Sequence, residues 1–189
     1  RCRAGQTKDG LVGSELGSKT VGIIGTGAIG LRTAQLCKAF GCKVIANAPH
    51  PKKEAEGIVE YVDLETLLKE SDIISLHCPL NDSSRGLINK ERIALMKPTA
   101  IVINAARGPV VDSQALADAL NEGRIAGAGI DVFEVEPPLD VNHPLLHSKN
   151  TIVTPHVAFA SAESMEARCH IVFDNITKWL AGEQVNVIL

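Results

Sequence analysis

Val21-Gly22-Ile23-Ile24-Gly25-Thr26-Gly27-Ala28-Ile29-Gly30 is a short apolar run that ends in G-x-G-x-x-G, and a helical pattern from Leu31 to Phe40 follows at once. Strand, glycine turn and helix in that order predict a site for the pyrophosphate of a dinucleotide. Gly25 permits the tight turn off the strand, Gly27 lets the backbone approach the phosphates, and Gly30 lets the helix pack close to the sheet. The helix N-terminus adds N–H groups and the positive end of its dipole. A glycine-rich turn that binds nothing is the competing reading. One expected element is missing. About 20 residues past the motif an Asp or Glu should end the second strand and hold the adenine ribose. Here Lys43-Val44-Ile45-Ala46 runs into Asn47-Ala48-Pro49-His50.

Outward from this turn, helix and strand signals alternate, with Val- and Ile-rich strands and short connections, which implies a parallel sheet covered by helices on both faces. Strands are predicted at Thr20 to Ile24, Lys43 to Ala46, Ile58 to Tyr61, Ile73 to His77, Ala100 to Asn104, Ala126 to Asp131 and Thr151 to Thr154. Helices are predicted at Ala28 to Phe40, Leu64 to Lys69, Lys90 to Met96, Ser113 to Glu122 and Ala162 to Ala181. Asp63, Asn89, Asp112 and Ser161 are suited to N-cap these helices, and Gly41, Gly123 and Gly182 to end them. Residues 20–189 thus read as a single α/β domain, a doubly wound parallel sheet of the Rossmann type. Residues 1–19, with Gly5, Gly10, Gly13 and Gly17 among polar residues, read as a loop leading into it or as a flexible terminus.

Composition narrows the partners. A length of 189 residues with 45% hydrophobic and 22% charged residues is that of a globular chain with one well-formed core or two small ones. A net charge of -3 gives no electrostatic reason to expect nucleic acid or an anionic membrane as partner. No apolar stretch approaches the roughly 20 residues of a membrane span, and no signal peptide is visible. Cys2, Cys37, Cys42, Cys78 and Cys169 are odd in number and form no C-x-x-C, as expected of reduced thiols in a cytoplasmic protein. The start at Arg1 rather than Met is expected of a fragment or a processed product.

Ligands on such a sheet collect at the carboxyl ends of the strands, and three polar clusters follow predicted strand ends. In Asn104-Ala105-Ala106-Arg107-Gly108 an apolar strand delivers an arginine onto a glycine turn, where a guanidinium can grip a carboxylate through two parallel hydrogen bonds; the alternative is a solvated surface arginine. Asp131-Val132-Phe133-Glu134-Val135-Glu136-Pro137-Pro138 places three acids in six residues, or is a solvated acidic loop. Thr154-Pro155-His156 sets a histidine after a strand, where it is placed for proton transfer or is merely structural. Reducing a keto acid by hydride transfer needs a proton for the alkoxide, a cation for the carboxylate and a nicotinamide against the carbonyl carbon. His156 is the expected proton donor, Glu136 the carboxylate that favours its charged form, and Arg107 the group that holds the acid end. His143 and His147 are four apart, but Pro144 disfavours the helix that would align them on zinc and no third ligand is evident, so no metal is expected. No G-x-S-x-G supports a hydrolase.

From about Glu15 to Leu189 the chain resembles the nucleotide-binding domain of the D-isomer-specific 2-hydroxyacid dehydrogenases. Five motifs in order carry the resemblance: Gly25-Thr-Gly-Ala-Ile-Gly30, Leu76-His-Cys-Pro-Leu80, Asn104-Ala-Ala-Arg-Gly108, Gly129-Ile-Asp-Val-Phe133 with Glu136-Pro137, and Pro155-His156. The resemblance implies that Arg107 binds the substrate's carboxylate and carbonyl, that His156 is the acid-base, and that Glu136 tunes it. It implies NAD or NADP as cofactor, with Gly25, Gly27, Ala28, Ile29 and Gly30 at the pyrophosphate. Cys78, Pro79 and Ser84 would border the ribose and phosphate. Asp131 and the backbone around Ala105 would orient the nicotinamide carboxamide, and His77, Asn104, Ala106 and Ala158 are further cofactor-binding residues. Cys78 is then a cofactor-wall residue rather than a reactive thiol. Formate dehydrogenases of this wider group carry Gln in place of Glu136, which argues against formate. The context His156-Val-Ala-Phe159 is more similar to glycerate dehydrogenases and hydroxypyruvate or glyoxylate reductases than to phosphoglycerate dehydrogenases.

Two departures stand out. The family's second domain, built from the N-terminal part and a final C-terminal helix, has no counterpart expected here, so the chain should bind cofactor and turn over 2-keto or 2-hydroxy acids poorly. Ala48 stands where the ribose-binding Asp usually stands, which removes an acceptor for the NAD 2′-hydroxyl and a repulsion against the NADP 2′-phosphate. With His50, Lys52 and Lys53 close behind, relaxed selectivity leaning toward NADP is expected, unless the lysines are a solvated loop. The resemblance also implies a homodimer, with Ser113 to Glu122 and the loop of Pro137 to Ser148 as contact surface. Corepressors of the C-terminal-binding-protein type share this domain, so a dinucleotide-sensing binding module is the alternative to an enzyme.

Overall fold

The apolar run before the glycine turn becomes β1 (Thr20–Ile24), an interior strand, third in order, of a seven-stranded, wholly parallel sheet. Its companions are β2 (Lys43–Asn47), β3 (Glu60–Tyr61), β4 (Ile73–Leu76), β5 (Ile101–Asn104), β6 (Gly127–Ile130) and β7 (Thr151–Val153), in the order β3-β2-β1-β4-β5-β6-β7. The chain adds strands outward on one side of β1, then returns to its other side, and this reversal between β1 and β4 sets the place for a ligand. The computed structural model describes residues 2–4, 7, 12–136 and 138–187. Gly5, Gly10, Pro137 and Leu189, named in the expectations above, lie outside the described residues. The chain divides into two compact units, Arg1–Pro155, which holds the whole sheet, and His156–Leu189.

Alternation along the strands builds two cores. Val21 and Ile23 of β1 join Val44 and Ala46 of β2 and Ala34 of α1 (Ala28–Ala39) on one face. Ile24, Ile45, Ile74 and Leu76 point to the other face. There they meet Leu67 and Leu68 of α2 (Leu64–Glu70), Ile93 of α3 (Lys90–Ile93) and Leu116 and Leu120 of α4 (Ser113–Asn121). Helices therefore cover both faces around β1. Farther out, Ile101 and Ile103 of β5 are about two-fifths exposed and Ile152 of β7 is mostly so.

Cap chemistry fixes the helix starts. Asp63 accepts from Thr66 N, Asn89 from Arg92 N and Asp112 from Ala115 N, each at 2.9–3.0 Å. Gly41, Gly123 and Gly182 all take positive φ just past helix ends. β3 and α3 are shorter than the sequence suggests, for reasons visible in their hydrogen bonds. Ile58 and Val59 do not extend β3, because their N–H groups both turn back to the Ala55 carbonyl. The α3 helix stops at Ile93 because Leu95 and Met96 close three-residue turns onto Arg92 and Ile93 instead.

In the second unit Ser161 caps α5 (Ala162–Leu180) through a reciprocal pair with Ser164. None of the 19 residues of α5 is buried, and Phe173 and Trp179 are more than three-fifths exposed.

Candidate functional site

The three glycines of the fingerprint do three different things. Gly25 takes φ 96°, and a Cβ there would stand 2.8 Å from the backbone of His77 and Cys78, so only glycine lets the turn lie against the end of β4. A Cβ on Gly30 would stand 2.0 Å from Gly25 O. Gly27 is the reverse case: a Cβ there meets nothing within 4 Å, leaving open room beside the N-terminus of α1, whose N-cap is Gly27 itself. The first-turn amides of Ala28, Ile29 and Gly30 have no carbonyl one turn back to bond to, so an anion in that room meets N–H donors and the dipole's positive end. These are the features a pyrophosphate requires.

A cleft of about 540 Å³ opens beside this turn, at the carboxyl ends of β1, β2 and β4. Of the residues implied to face the cofactor, Gly25, Gly27, His77, Cys78, Pro79 and Ser84 line it. His77 donates its N–H to Ile24 O at 2.7 Å, and its Nε2 lies 2.9 Å from Ser75 Oγ. Burial lowers the His77 pKa, so the ring is neutral at pH 7. Burial raises the Cys78 thiol, which suits a wall and not a nucleophile. Ser84 is buried with its hydroxyl committed to its own loop: it donates to Pro79 O at 2.6 Å and accepts from Asn81 N at 2.9 Å. It shapes the cleft wall by closing the turn of residues 79–84. Ala48 lines the cleft at the end of β2, next to Pro49, His50 and Lys52.

The second cluster sits at the ends of β5, β6 and β7. Asn104, 1% exposed, uses both ends of its amide: Nδ2 donates to Arg107 O and Oδ1 accepts from Ala106 N, each at 3.0 Å. This holds the turn of residues 104–107 and leaves Ala105 and the Arg107 side chain exposed; Arg107 Nη1 donates to Ala106 O at 2.6 Å. Gly108 is what lets the turn close, since a Cβ there would overlap the Phe133 backbone at 1.9 Å. Asp131 is buried; its N–H donates to Asn104 O at 2.9 Å and its carboxylate accepts from the Thr154 hydroxyl. One residue thereby ties three strand ends together, its backbone N–H reaching β5 and its carboxylate β7.

Arg107 and the exposed Glu136 belong to the first unit, while His156 and Ala158 belong to the second. His156 has φ 56°, a left-handed backbone uncommon outside glycine, and its ring meets Phe159 edge-on at 5.8 Å. His143 and His147 have separate partners: His143 Nε2 lies 3.1 Å from Glu134 Oε2, and His147 Nε2 lies 2.6 Å from Val141 O. Among the described residues no group of three His, Cys, Asp or Glu is placed to hold a metal, and no helix is long and apolar enough to cross a membrane. Sequence reasoning missed Thr26, Asn47, Asn81, Ser83 and Leu87 of the cleft wall. Asn81 and Ser83 were findable, being the polar residues of the same loop that Pro79 and Ser84 bound.

A parallel sheet with this order, a glycine turn at the switch point and an open Gly27 define a dinucleotide-binding α/β domain. The description "D-isomer specific 2-hydroxyacid dehydrogenase, NAD binding domain" matches residues 1–158, and the chain belongs to that family. It is 44% identical over 176 residues to a hydroxypyruvate reductase of Blautia hydrogenotrophica, covering 92% of this chain and 54% of that protein. Among solved structures it superimposes with a TM-score of 0.88 on the NAD-complexed D-isomer specific 2-hydroxyacid dehydrogenase of Lactobacillus delbrueckii ssp. bulgaricus (35% identity, 97% of this chain, 60% of that one). A TM-score of 0.88 also relates it to an acyclic imino acid reductase in complex with NADPH and D-Arg (36% identity, 100% of this chain, 60% of that one). The chain thus spans about half the length of the curated relatives it matches.

Proposed function

We propose that this chain is the cofactor-binding half of a nicotinamide-dependent reductase of short 2-keto acids. The observation that carries the reading is the pairing of an open glycine turn on β1 with the Asn104-held turn that presents Arg107, both on the carboxyl edge of one sheet. Gly27 and the first turn of α1 take the pyrophosphate. Asn104, Ala105, Ala106 and Asp131 face the nicotinamide end, and Ala158 is a further cofactor-binding residue of the proposal. When bound, the nicotinamide supplies or accepts the hydride. Arg107 holds the substrate's carboxylate through paired hydrogen bonds, and His156 delivers the proton to the carbonyl oxygen. Glu136 completes the proposed catalytic set.

The relatives named hydroxypyruvate reductase and glyoxylate reductase support two- and three-carbon keto acids as the substrate class. The absence of a ribose carboxylate at Ala48 and the basic side chains of His50, Lys52 and Lys53 support acceptance of NADP beside NAD. A homodimer is part of the proposal. The apolar residues of α4 are spent inside its own unit, so its contact surface is the loop after Glu136, which leaves Val141 and Leu146 exposed.

The test has two arms. Fluorescence titration of the 189-residue chain should give saturable binding of NADH and NADPH, with only slow reduction of glyoxylate or hydroxypyruvate. In the full-length parent, Arg107→Ala should raise KM for the keto acid and lower kcat, leaving the nucleotide Kd unchanged. Full reduction by the Arg107→Ala parent would refute the assignment.

A further inference from the structure

The hydroxyl of Tyr61 is used twice. It accepts from the backbone N–H of Lys52 at 3.1 Å and donates to Thr26 Oγ1 at 2.9 Å. Thr26 is the buried middle residue of the Gly25-Thr26-Gly27 turn, 3% exposed. Lys52 lies on the loop that follows β2 and lines the cleft together with Ala48 and His50. Tyr61 itself is fixed at the end of the edge strand β3, in register with Ala46 of β2. One phenol therefore bridges the phosphate-binding turn and the loop at the ribose end of the cleft, across 35 positions of sequence on one side and nine on the other.

The bridge matters because of the charges it holds. Among the described residues lining the cleft there is no Asp or Glu, and the cationic or basic groups at the β2 end are His50 and Lys52. A long lysine on an untethered loop loses considerable side-chain and backbone freedom when it meets an anion. A backbone hydrogen bond at the lysine itself removes part of that cost in advance. Because the other end of the bridge is the glycine turn, the spacing between pyrophosphate and the Lys52 loop is set by the length of a tyrosine.

We propose that Tyr61 is a positioning residue for nucleotide selectivity: its hydroxyl fixes Lys52 at the ribose end so that the cleft accepts a 2′-phosphate. The inference rests on the dinucleotide reading of the cleft and names which side chain sets the NADPH to NADH ratio. Removing only the hydroxyl, in Tyr61→Phe, should weaken NADPH and 2′,5′-ADP about fivefold, about 1 kcal/mol and the range of one net hydrogen bond. NADH and 5′-AMP should stay within about twofold, because the glycine turn keeps its own bonds.

The experiment is fluorescence titration with the two dinucleotides and calorimetric titration with the two mononucleotides, on the wild type, Tyr61→Phe, Lys52→Met and the double variant. The double variant should bind NADPH no more weakly than Lys52→Met alone, a coupling that general loosening of the fold would not produce. Equal weakening of both dinucleotides, no weakening, or additive losses would overturn the role of Tyr61 while leaving the dinucleotide site standing. A wild type that binds neither dinucleotide would overturn the site and the proposal together.

Discussion

Replacing Gly30 by alanine sets two effects of opposite sign against each other. In a helix, alanine is favoured over glycine by about 1 kcal/mol. The new Cβ, however, would stand 2.0 Å from Gly25 O and 3.1 Å from His77 Cβ. The nearer obstacle is a backbone oxygen in a turn already at φ 96°, so it cannot rotate away. The helix must instead withdraw by on the order of 1 Å to restore ordinary contact. Overpacking of this kind costs about 1–3 kcal/mol, and with unyielding backbone the upper part of that range applies. The net loss is then about 1–2 kcal/mol, a fall of about 2–8 °C in the thermal midpoint of a chain this size. Withdrawal also takes the first-turn amides of α1 away from the phosphates, so NADH affinity should drop about tenfold or more, 1.4 kcal/mol. Gly27→Ala is the control. Its Cβ meets nothing, so beyond an N-cap effect of about 1 kcal/mol or less stability is kept, while the added methyl occupies the room the pyrophosphate needs. Differential scanning fluorimetry and fluorescence titration read both quantities. A Gly30→Ala chain as stable as the wild type with intact affinity would refute the close-packing argument.

Three further outcomes follow from titratable groups. The Thr20 N–H, and after it the Lys97 ammonium, hold Asp72 below the usual carboxylate range. The stabilisation is therefore full above the unfolded pKa of about 4 and is lost as pH falls through it toward the folded value. Asp72→Asn should lower the urea midpoint at pH 7 and flatten the acid limb between about pH 5 and 3; an unchanged acid limb would remove the assignment. Burial lowers His77, so the folded chain resists its protonation and stability falls as pH drops below about 6.5. His77→Gln should reduce that loss between about pH 7 and 5, and NMR should find the wild-type ring neutral at pH 7. Burial raises the thiols of Cys78 and Cys37, the latter also through its neighbour Cys42, whereas Cys169 is exposed. Mass spectrometry after limited alkylation should find Cys169 modified before Cys37, Cys42 and Cys78, with bound NADH protecting Cys78 and not Cys37.

The strands and caps were legible because each is decided locally. A short run of Val and Ile and an Asp or Ser three residues before a free N–H state their structure without help from distant parts of the chain. The glycines were equally legible, since Gly25 and Gly30 serve contacts within their own motif and the adjacent strand end. What the sequence did not disclose are contacts made across the fold. Tyr61 looked like the end of an apolar strand, and its bond to Thr26 exists only because β3 and β1 flank β2. Ser84 lines the cleft, but the bonds of its hydroxyl to Pro79 O and Asn81 N within its own loop could not be read from the sequence. Ile101 and Ile103 carry the pattern of a strand buried on both faces, yet one side is open, which depends on where helices dock and not on the strand.

Asn104 also gives the site a chemical clock. Conversion of an asparagine to aspartate proceeds when the next residue's backbone nitrogen reaches the side-chain carbonyl. In the folded chain that amide is sealed from water, with both ends held by the turn it organises. Each excursion to an unfolded state releases it. An aspartate at this position has no donor for the Arg107 carbonyl, so a molecule damaged while open refolds with its arginine turn unfastened. Ageing of this protein should therefore track the time it has spent unfolded, and a mass increase of about one dalton on the peptide containing residue 104 should accompany the loss of site geometry.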